Sequence, residues 1–297
     1  MIARVQRLLA RLAAPVATAV LLVAAPAVAT AAGAGHPLDP FPKARLTDQA
    51  ALQNGARLFV NYCLNCHSAS LMRYNRLTDL GLTEVQIRDN LMFTADKVGD
   101  PMRIAMAPPD AREWLGALPP DLSLTARSRS SHDGSGPDWL YTYLRTYYRD
   151  ATRATGWNNA VFPAVGMPHV LWELQGSRSA VIEDVKAVRD EVTGAVTGFT
   201  KTVVTFDHQG NRTEVTEKLS GRHLHEGSVT RLGPAVGGQL TQAQYDEQIA
   251  DLVAYLTYMA DPTAKKRVQL GVWVLLFLSV FTCLAWWLNR EYWKDIR

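Results

Sequence analysis

The chain has 297 residues, a formal net charge of +3, three cysteines and an apolar segment near each end. Much of the basic charge flanks the apolar segments, and the region between them has no basic patch with interleaved aromatic residues, which argues against a nucleic-acid-binding protein. The length of that region suits one domain, with or without an insertion.

Residues 1–32 are predicted to be a signal peptide. Arginines precede a run rich in alanine, valine and leucine, and the run ends in repeated small residues. This order of charged, apolar and small residues is typical of an export signal, with an uncleaved anchor helix as the alternative. We therefore expect residues 33–264 to form a domain on the periplasmic side of the inner membrane.

A Cys-x-x-Cys-His motif, formed by Cys63, Cys66 and His67, follows a predicted helix over residues 48–62. A zinc site would need further soft ligands, and the remaining cysteine, Cys283, lies far away in an apolar run. A redox dithiol usually opens a helix after a buried strand, whereas this motif closes a helix. Covalent attachment of one c-type haem fits better, because both thiols can form thioethers with one porphyrin while His67 binds its iron.

Two predicted helices bracket the exported domain. The first spans residues 48–62 and contains Gly55, and the second begins after Thr241, a predicted N-cap, and ends at Pro262. A glycine at a helix contact lets two backbones approach closely. We expect these helices to cross at Gly55 and to build a haem-carrying helical domain; two unrelated surface helices are the alternative.

The segment 177–237 is predicted to be an insertion in the helical domain. Within it, residues 198–219 alternate as two strands around a turn-forming sequence at 208–211. His223 and His225 share one side of a strand pattern, but no further metal ligand is evident, so we expect solvated polar side chains there. The predicted fold class is therefore mainly α: a c-type cytochrome haem domain with an inserted β-hairpin, plus one C-terminal transmembrane helix.

The C-terminal region contains an uncharged run over residues 270–288, close to the ~20 residues that a helix needs to cross a bilayer. We expect a transmembrane anchor over 265–289 and a cytoplasmic tail over 290–297. Basic residues flank the run on both sides, so the export signal rather than the positive-inside rule decides its orientation. A buried soluble helix is the alternative, and the charged flanks disfavour it.

An iron bound by His67 on one side leaves the opposite side for a ligand from a distant loop. The candidates are Met106, in IAMAPP, and Met167, in FPAVGMPHV, because a nearby proline holds the chain extended at each. Spacing alone does not decide between them. The sixth position matters because a filled position gives an electron carrier, whereas an open one lets a substrate bind.

Several segments in order resemble the cytochrome c1 family, the haem subunits of the cytochrome bc complex. They are NYCLNCHS, ALPPDLSLTARSR, NNAVFPAVGMPHVLWELQG and a final helix that leads into a membrane anchor. In that family the ligand methionine follows the PPDLS segment, so the resemblance implies Met167 rather than Met106. It also implies that Arg127 faces a haem propionate, and a guanidinium suits that role because it pairs bidentately with a carboxylate. The long segment 177–237 departs from the mitochondrial members of the family.

The resemblance implies a membrane-anchored one-electron carrier without a catalytic site of its own. It implies as partners cytochrome b, the Rieske iron–sulfur subunit as electron donor and a c-type cytochrome as acceptor, in a dimeric quinol–cytochrome c reductase. Two alternatives remain: a c-type haem subunit of a terminal oxidase, and a haem enzyme with an open sixth position. No nucleophile–base arrangement, phosphate-binding glycine loop or carboxylate pair in the sequence indicates catalysis.

Overall fold

The computed structural model describes residues 36–190, 193–219 and 226–294. The predicted signal peptide, residues 1–32, lies outside the described residues, as do His223, His225 and the end of the predicted tail. The described part of the chain contains a helical core, two small strand pairs, a larger sheet and a long apolar helix.

The helices of the described residues lie before residue 176 and after residue 241. The α-helices are α1 (Gln49–Leu58), α2 (Glu84–Asn90), α3 (Pro108–Leu115), α4 (Thr125–Ser128), α5 (Gly136–Arg145), α6 (Trp172–Gln175), α7 (Gln242–Ala260) and α8 (Ala264–Tyr292). The strands are β1 (Ala69–Arg73), β2 (Pro101–Met102), β3 (Tyr147–Arg149), β4 (Trp157–Asn159), β5 (Gly176–Arg189), β6 (Val196–Phe206), β7 (Arg212–Leu219) and β8 (Gly227–Gly237). Short 3-10 helices occupy Lys43–Thr47 and Tyr74–Leu80, and a π-helical turn at Phe59–Cys63 continues α1.

Helices α1 and α7 cross in close backbone contact at Gly55. A Cβ atom at this position would lie 2.0 Å from the carbonyl oxygen of Asp251 and 2.7 Å from the Cβ of Tyr255. Glycine alone leaves room for this approach. Asn54 adds a polar contact beside it, because its Nδ2 donates to Asp251 Oδ2 at 2.8 Å. The predicted crossing of the two bracketing helices at Gly55 is confirmed.

Both crossing helices begin at side-chain caps. The carboxylate of Asp48 accepts hydrogen bonds from the backbone N–H groups of Ala50 at 3.0 Å and Ala51 at 3.3 Å. Thr241 and Gln244 form a capping box, in which each side chain bonds to the backbone N–H of the other residue. The caps satisfy N–H groups that lack a partner inside the helix, so they fix where α1 and α7 begin.

The core of the domain packs around α7. Its most deeply buried large side chains come from α1, α7 and the chain between them, and they include Leu58, Phe59, Leu77, Tyr147, Tyr245, Ile249 and Tyr255. Each fully buried apolar side chain of this size contributes roughly 1.5–3 kcal/mol. Arg145, at the end of α5, joins that helix to α7 and to the chain before the first helix. Its guanidinium lies 2.6 Å from Asp246 of α7 and 2.6 Å from Asp39.

The described residues of the segment 176–237 contain a four-stranded antiparallel sheet with the strand order β7-β6-β5-β8. The predicted strands of the hairpin fall in β6 and β7, which pair from Phe199↔Leu219 to Phe206↔Arg212. Strand β5 pairs with both β6 and β8. The prediction of an inserted hairpin in a mainly α domain is therefore corrected: the described part of the segment contains a larger sheet, and the strands β5 and β8 were not predicted from the sequence.

The sheet contacts the helical domain through β3 and through the turn between β6 and β7. The rings of Tyr148 and Phe206 lie 5.4 Å apart between centroids. Gly210 adopts a φ of +90°, and its carbonyl accepts a hydrogen bond from the N–H of Ala151 at 3.0 Å. A Cβ at Gly210 would lie 2.7 Å from that nitrogen, so the docked turn requires glycine.

Helix α8 is long, apolar and exposed. Within the described part of the chain, Lys266–Tyr292 is the one helical stretch long and apolar enough to cross a membrane, with a mean hydropathy of 2.2 in its best window and none of that window buried. Large apolar side chains along it, such as Trp273 and Phe277, are uncovered. A surface of this kind favours lipid contact.

Candidate haem site

The Cys-x-x-Cys-His motif forms a tight turn at the end of α1. A π-type hydrogen bond joins the N–H of Leu64 to the carbonyl of Phe59 at 2.9 Å and ends the helix. The carbonyl of Cys63 then accepts hydrogen bonds from the N–H groups of Cys66 at 3.1 Å and His67 at 2.9 Å. The backbone therefore folds both thiols and the imidazole into a single turn, as attachment to one porphyrin requires.

The imidazole of His67 has a fixed orientation. Its Nδ1 lies 2.7 Å from the carbonyl oxygen of Pro120, and because a carbonyl oxygen only accepts, Nδ1 carries the proton. In the neutral ring, Nε2 then keeps the lone pair that can bind a metal. Burial lowers the pKa of His67, although the hydrogen bond to Pro120 and the charge of Asp121 oppose this shift. The ring is therefore held in a ligand-competent form.

The loop that holds Pro120 is itself fixed by Asp121. This carboxylate accepts hydrogen bonds from the Ser70 N–H at 2.8 Å and from the Ser123 N–H at 2.8 Å. Burial alone would raise the pKa of Asp121, but the hydrogen bonds from Ser123 and Ser70 outweigh it and lower the pKa. Sequence analysis used the PPDLS segment only as a family marker. The rigid loop was not predicted, although the paired prolines and the turn-forming aspartate of this segment are features from which it could have been.

The thiols suit neutral thioethers better than ionised ligands. The side chain of Cys63 is buried, and burial together with the nearby Cys66 raises its pKa to about 12. A thiolate there would lack solvation, whereas a thioether carries no charge. Cys66 is partly exposed, so the pair lies at the boundary of the core. The buried thiol, the neutral imidazole and the apolar surroundings together fit a covalently attached haem.

Met167 packs against the main core cluster, to which Cys63 also belongs. The hydroxyl of Tyr143 donates a hydrogen bond to the Met167 sulfur at 3.4 Å. Met106, just before α3, is partly exposed and is not a member of the core cluster among the described residues. The surroundings of Met167 therefore fit a ligand sulfur held in the core better than those of Met106.

The chain before Met167 adopts an unusual turn. Ala164 has a φ of +61°, the left-handed region that residues with a Cβ rarely occupy. Its N–H donates to Asn158 Oδ1 at 2.9 Å, and its carbonyl accepts from Arg153 at 2.9 Å. These bonds, one to β4 and one to the turn before it, stabilise the strained residue and so define the path of the chain into Met167.

A pair of hydrogen-bonded tyrosines contacts Met167, and sequence analysis did not identify it. The hydroxyl oxygens of Tyr143 and Tyr147 lie 2.6 Å apart, and the Tyr147 hydroxyl lies within hydrogen-bond distance, 3.3 Å, of the Met167 carbonyl oxygen. Burial raises the pKa of both phenols, so both keep their protons at neutral pH. The buried ring of His169 stacks on Tyr147 with centroids 4.7 Å apart. The sequence spacing of the tyrosines, four apart at the end of a helix, was the available indication.

Two arginines near the end of α4 lie in different surroundings. Both are exposed, but Arg127 interacts electrostatically with Asp261 at the end of α7. The guanidinium of Arg129 lies 4.4 Å from the ring centroid of Trp139, which stacks on Tyr143 at 4.8 Å. Arg129, which sequence analysis did not select, is therefore connected through stacked rings to the residue that contacts Met167.

Comparison with known proteins extends over most of the chain. The sequence model described as the cytochrome C1 family matches residues 43–206 and 236–296. Cytochrome c1 of Allochromatium vinosum is 40% identical over 279 residues, covering 94% of this chain and 97% of that protein. A protein of Nitrosomonas europaea named ammonia monooxygenase gamma subunit is 40% identical, covering 93% of this chain and 95% of that protein. Cytochrome c1 of Rhodospirillum rubrum is 26% identical over 84% of this chain and 83% of that protein. The chain therefore belongs to the cytochrome c1 family.

Proposed function

We propose that this chain carries single electrons through one covalent c-type haem. The cytochrome c1 family binds one such haem, and Cys63 and Cys66 lie in one turn from which both can bind it. The observation that carries the proposal is the 2.7 Å hydrogen bond from His67 Nδ1 to Pro120, because it leaves Nε2 for the iron.

Met167 is proposed as the ligand on the opposite side of the iron. When bound, the haem supplies a one-electron change, and a soft thioether ligand raises the potential by favouring ferrous iron. If His67 and Met167 both held the iron, they would leave no position for a substrate. The residues of this chain therefore orient the haem, exclude water from it and set its potential, but make and break no substrate bonds.

We infer that the chain works as the cytochrome c1 subunit of a quinol–cytochrome c reductase. The long family match supports this placement, because it includes the cysteine motif, the Met167 loop and the C-terminal helix. In that setting the Rieske iron–sulfur subunit donates the electron and a c-type cytochrome accepts it, beside cytochrome b in a dimeric complex. Quinol oxidation belongs to the other subunits.

Helix α8 supports a single-pass location in the inner membrane. We propose that residues 1–32 direct export, that 33–264 lie on the periplasmic side, that 265–289 anchor the chain and that 290–297 remain in the cytoplasm. A haem held near the membrane surface would then lie within reach of a membrane-bound donor.

A haem propionate requires a cationic partner, and this chain offers two candidates. Arg127 is proposed from the family resemblance, whereas the stacked position of Arg129 beside Trp139 supports Arg129. Removing the arginine leaves the negative charge of the propionate unbalanced. That charge stabilises ferric haem, which carries one more positive charge than ferrous haem, so the reduction potential falls. Potentials of Arg127→Gln and Arg129→Gln, measured side by side, identify the partner. Unchanged potentials in both variants would reject both residues.

An oxygen-activating role is the second candidate function, because one relative is named an ammonia monooxygenase subunit. Such a role requires an open iron position, whereas the contacts that hold Met167 favour a closed one. Carbon monoxide separates the two functions. We expect the spectrum of the reduced protein to remain unchanged under carbon monoxide; a shifted spectrum would support oxygen chemistry instead.

Covalent attachment is tested by replacing both thiols. Cys63→Ala combined with Cys66→Ala should abolish haem staining of the chain on a denaturing gel, because no thioether can form. Cys283→Ala is the matched control, since Cys283 lies in α8 away from the motif, and it should keep full staining. Staining that persists in the double variant would refute the attachment.

A further inference from the structure

The tyrosine pair beside Met167 makes three contacts of hydrogen-bond length but has only two hydroxyl protons to donate. The Tyr143 hydroxyl lies 2.6 Å from the Tyr147 hydroxyl and 3.4 Å from the Met167 sulfur. The Tyr147 hydroxyl also lies 3.3 Å from the Met167 carbonyl oxygen. Each phenol has a single proton. Three contacts therefore compete for two protons, and only two of the contacts can be hydrogen bonds at one time.

The hydroxyl oxygens of Tyr143 and Tyr147 lie so close, at 2.6 Å, that a proton must lie between them, because two unprotonated lone pairs would repel at that distance. Two proton arrangements meet this requirement. In the first, Tyr147 donates to Tyr143, and Tyr143 donates to the Met167 sulfur. In the second, Tyr143 donates to Tyr147, and Tyr147 donates to the Met167 carbonyl. The Met167 sulfur accepts a hydrogen bond only in the first arrangement. Switching between the two needs rotation of the hydroxyl protons alone, because all the heavy-atom contacts are already made.

We propose that Tyr143 is a positioning residue for the axial methionine, and that its hydrogen bond to the Met167 sulfur raises the reduction potential. The inference rests on the proposed ligation by Met167. A thioether sulfur that binds iron with one lone pair keeps another that can accept a hydrogen bond. Such a bond draws electron density away from the sulfur and weakens its donation to ferric iron. Ferric haem is thereby destabilised relative to ferrous haem, and the protein becomes easier to reduce.

The surroundings hold the pair in place. Tyr143 stacks on Trp139 with centroids 4.8 Å apart and an interplanar angle of 12°. Tyr147 stacks on His169 at 4.7 Å with an angle of 5°. Only 8% of Tyr143 and 1% of Tyr147 are exposed, so water does not compete for the hydroxyls. In a low-dielectric interior, a hydrogen bond to the ligand has a larger electrostatic effect than it would have in water.

Tyr147 tunes the bond from Tyr143 by competing for its proton. When the Tyr143 hydroxyl donates to Tyr147, the Met167 sulfur accepts no hydrogen bond. A fraction of the molecules therefore lacks the hydrogen bond to the ligand sulfur. Replacing Tyr147 with phenylalanine removes the competing acceptor. The Tyr143 proton then has the sulfur as its remaining acceptor in this group of contacts. The two tyrosines are therefore expected to have different effects on the potential, although they are adjacent and both buried.

The test is a redox titration of the full-length haem protein with each tyrosine replaced by phenylalanine. Tyr143→Phe should lower the equilibrium constant for reduction about two- to fivefold, because one hydrogen bond to a weak acceptor is lost. Tyr147→Phe should leave that constant equal or higher. The red sulfur-to-iron absorption band of the ferric protein should persist in both variants, and it should shift in Tyr143→Phe. A fall of equal size in both variants would mean a shared packing effect and would overturn the inference.

A second tyrosine–methionine contact provides a matched control. Tyr255 donates to the Met102 sulfur at 3.5 Å, and both residues are buried in the same core cluster. Tyr255→Phe removes the same kind of bond from a sulfur that is not proposed as a ligand, so it should leave the potential unchanged. A shift there as large as in Tyr143→Phe would overturn the specific role of Tyr143.

Met167→Leu, measured in the same series, separates this inference from the ligation on which it rests. If the ferric band survives in Met167→Leu, the ligation is wrong and the inference fails with it. If the band disappears in Met167→Leu but Tyr143→Phe has the parental potential, the ligation stands and only the role of Tyr143 is rejected.

Discussion

Replacing Gly55 with alanine should strongly destabilise the haem domain. Helices α1 and α7 approach so closely there that the added Cβ would lie 2.0 Å from the backbone oxygen of Asp251. The obstacle is backbone rather than the end of a flexible side chain. The helices can accommodate the methyl group only by separating, which loosens the contact between α1 and the buried residues of α7.

Two opposing contributions determine how much Gly55→Ala changes the free energy of unfolding. Alanine favours an α-helix over glycine by about 1 kcal/mol. Overpacking a well-packed interior costs typically about 1–3 kcal/mol and occasionally more. Since relief here requires movement of whole helices by about 1 Å, the upper part of that range applies, and we expect a net loss of about 2 kcal/mol. For a domain of this size, a loss of this magnitude lowers the melting temperature by roughly 4–8 °C.

The assay is thermal unfolding of the haem protein, followed by loss of the ferric sulfur-to-iron band. Gly99→Ala is the control, because a Cβ at Gly99 meets no atom within 4 Å. It should melt within about 1 °C of the parent, as most surface substitutions have small effects. If Gly55→Ala melts at or above the parental temperature, helix propensity outweighs the steric clash and the close crossing is wrong.

Two further predictions concern the anchor and the His67 loop. A chain ending at Pro262 keeps the cysteine motif, Met167 and the crossing helices, so it should leave the membrane as a soluble red protein with an unchanged spectrum; retention in the membrane after a high-salt wash would require a second anchor. Asp121 has a lowered pKa in the folded chain, so its stabilising effect is present above the ordinary carboxyl pKa of about 3.9 and is lost as the pH falls through the lowered value. Asp121→Asn should therefore lower the melting temperature at pH 7 and approach the parent in strong acid; a difference that does not change with pH would contradict this role.

Local patterns predicted the parts of the fold that depend on neighbouring residues. The apolar periodicity of α1 and α7, the cap at Thr241 and the need for Gly55 at a helix contact were all visible in the sequence, because each follows from spacing within a few turns. The cysteine motif was equally visible. Its chemistry depends on three residues that are close in sequence as well as in space.

Features formed by distant residues were not predictable in this way. The carbonyl of Pro120 lies far from His67 along the chain, and a backbone acceptor leaves no trace in residue type. Strand β8 was missed because it contains glycines and Pro234, which weaken a strand pattern. The contact between Tyr143 and Met167 depends on how α5 packs on a loop after β4, so the tyrosine resembled an ordinary core residue.

The measurement that tests the central claim most directly compares two methionine variants of the full-length protein. Met167→Leu should abolish the red sulfur-to-iron band of the ferric protein and lower its reduction potential, because the iron loses its thioether ligand. Met106→Leu should leave both properties unchanged. The opposite pattern, with the band lost in Met106→Leu and retained in Met167→Leu, would contradict the proposed ligation and, with it, the closed electron-carrying site.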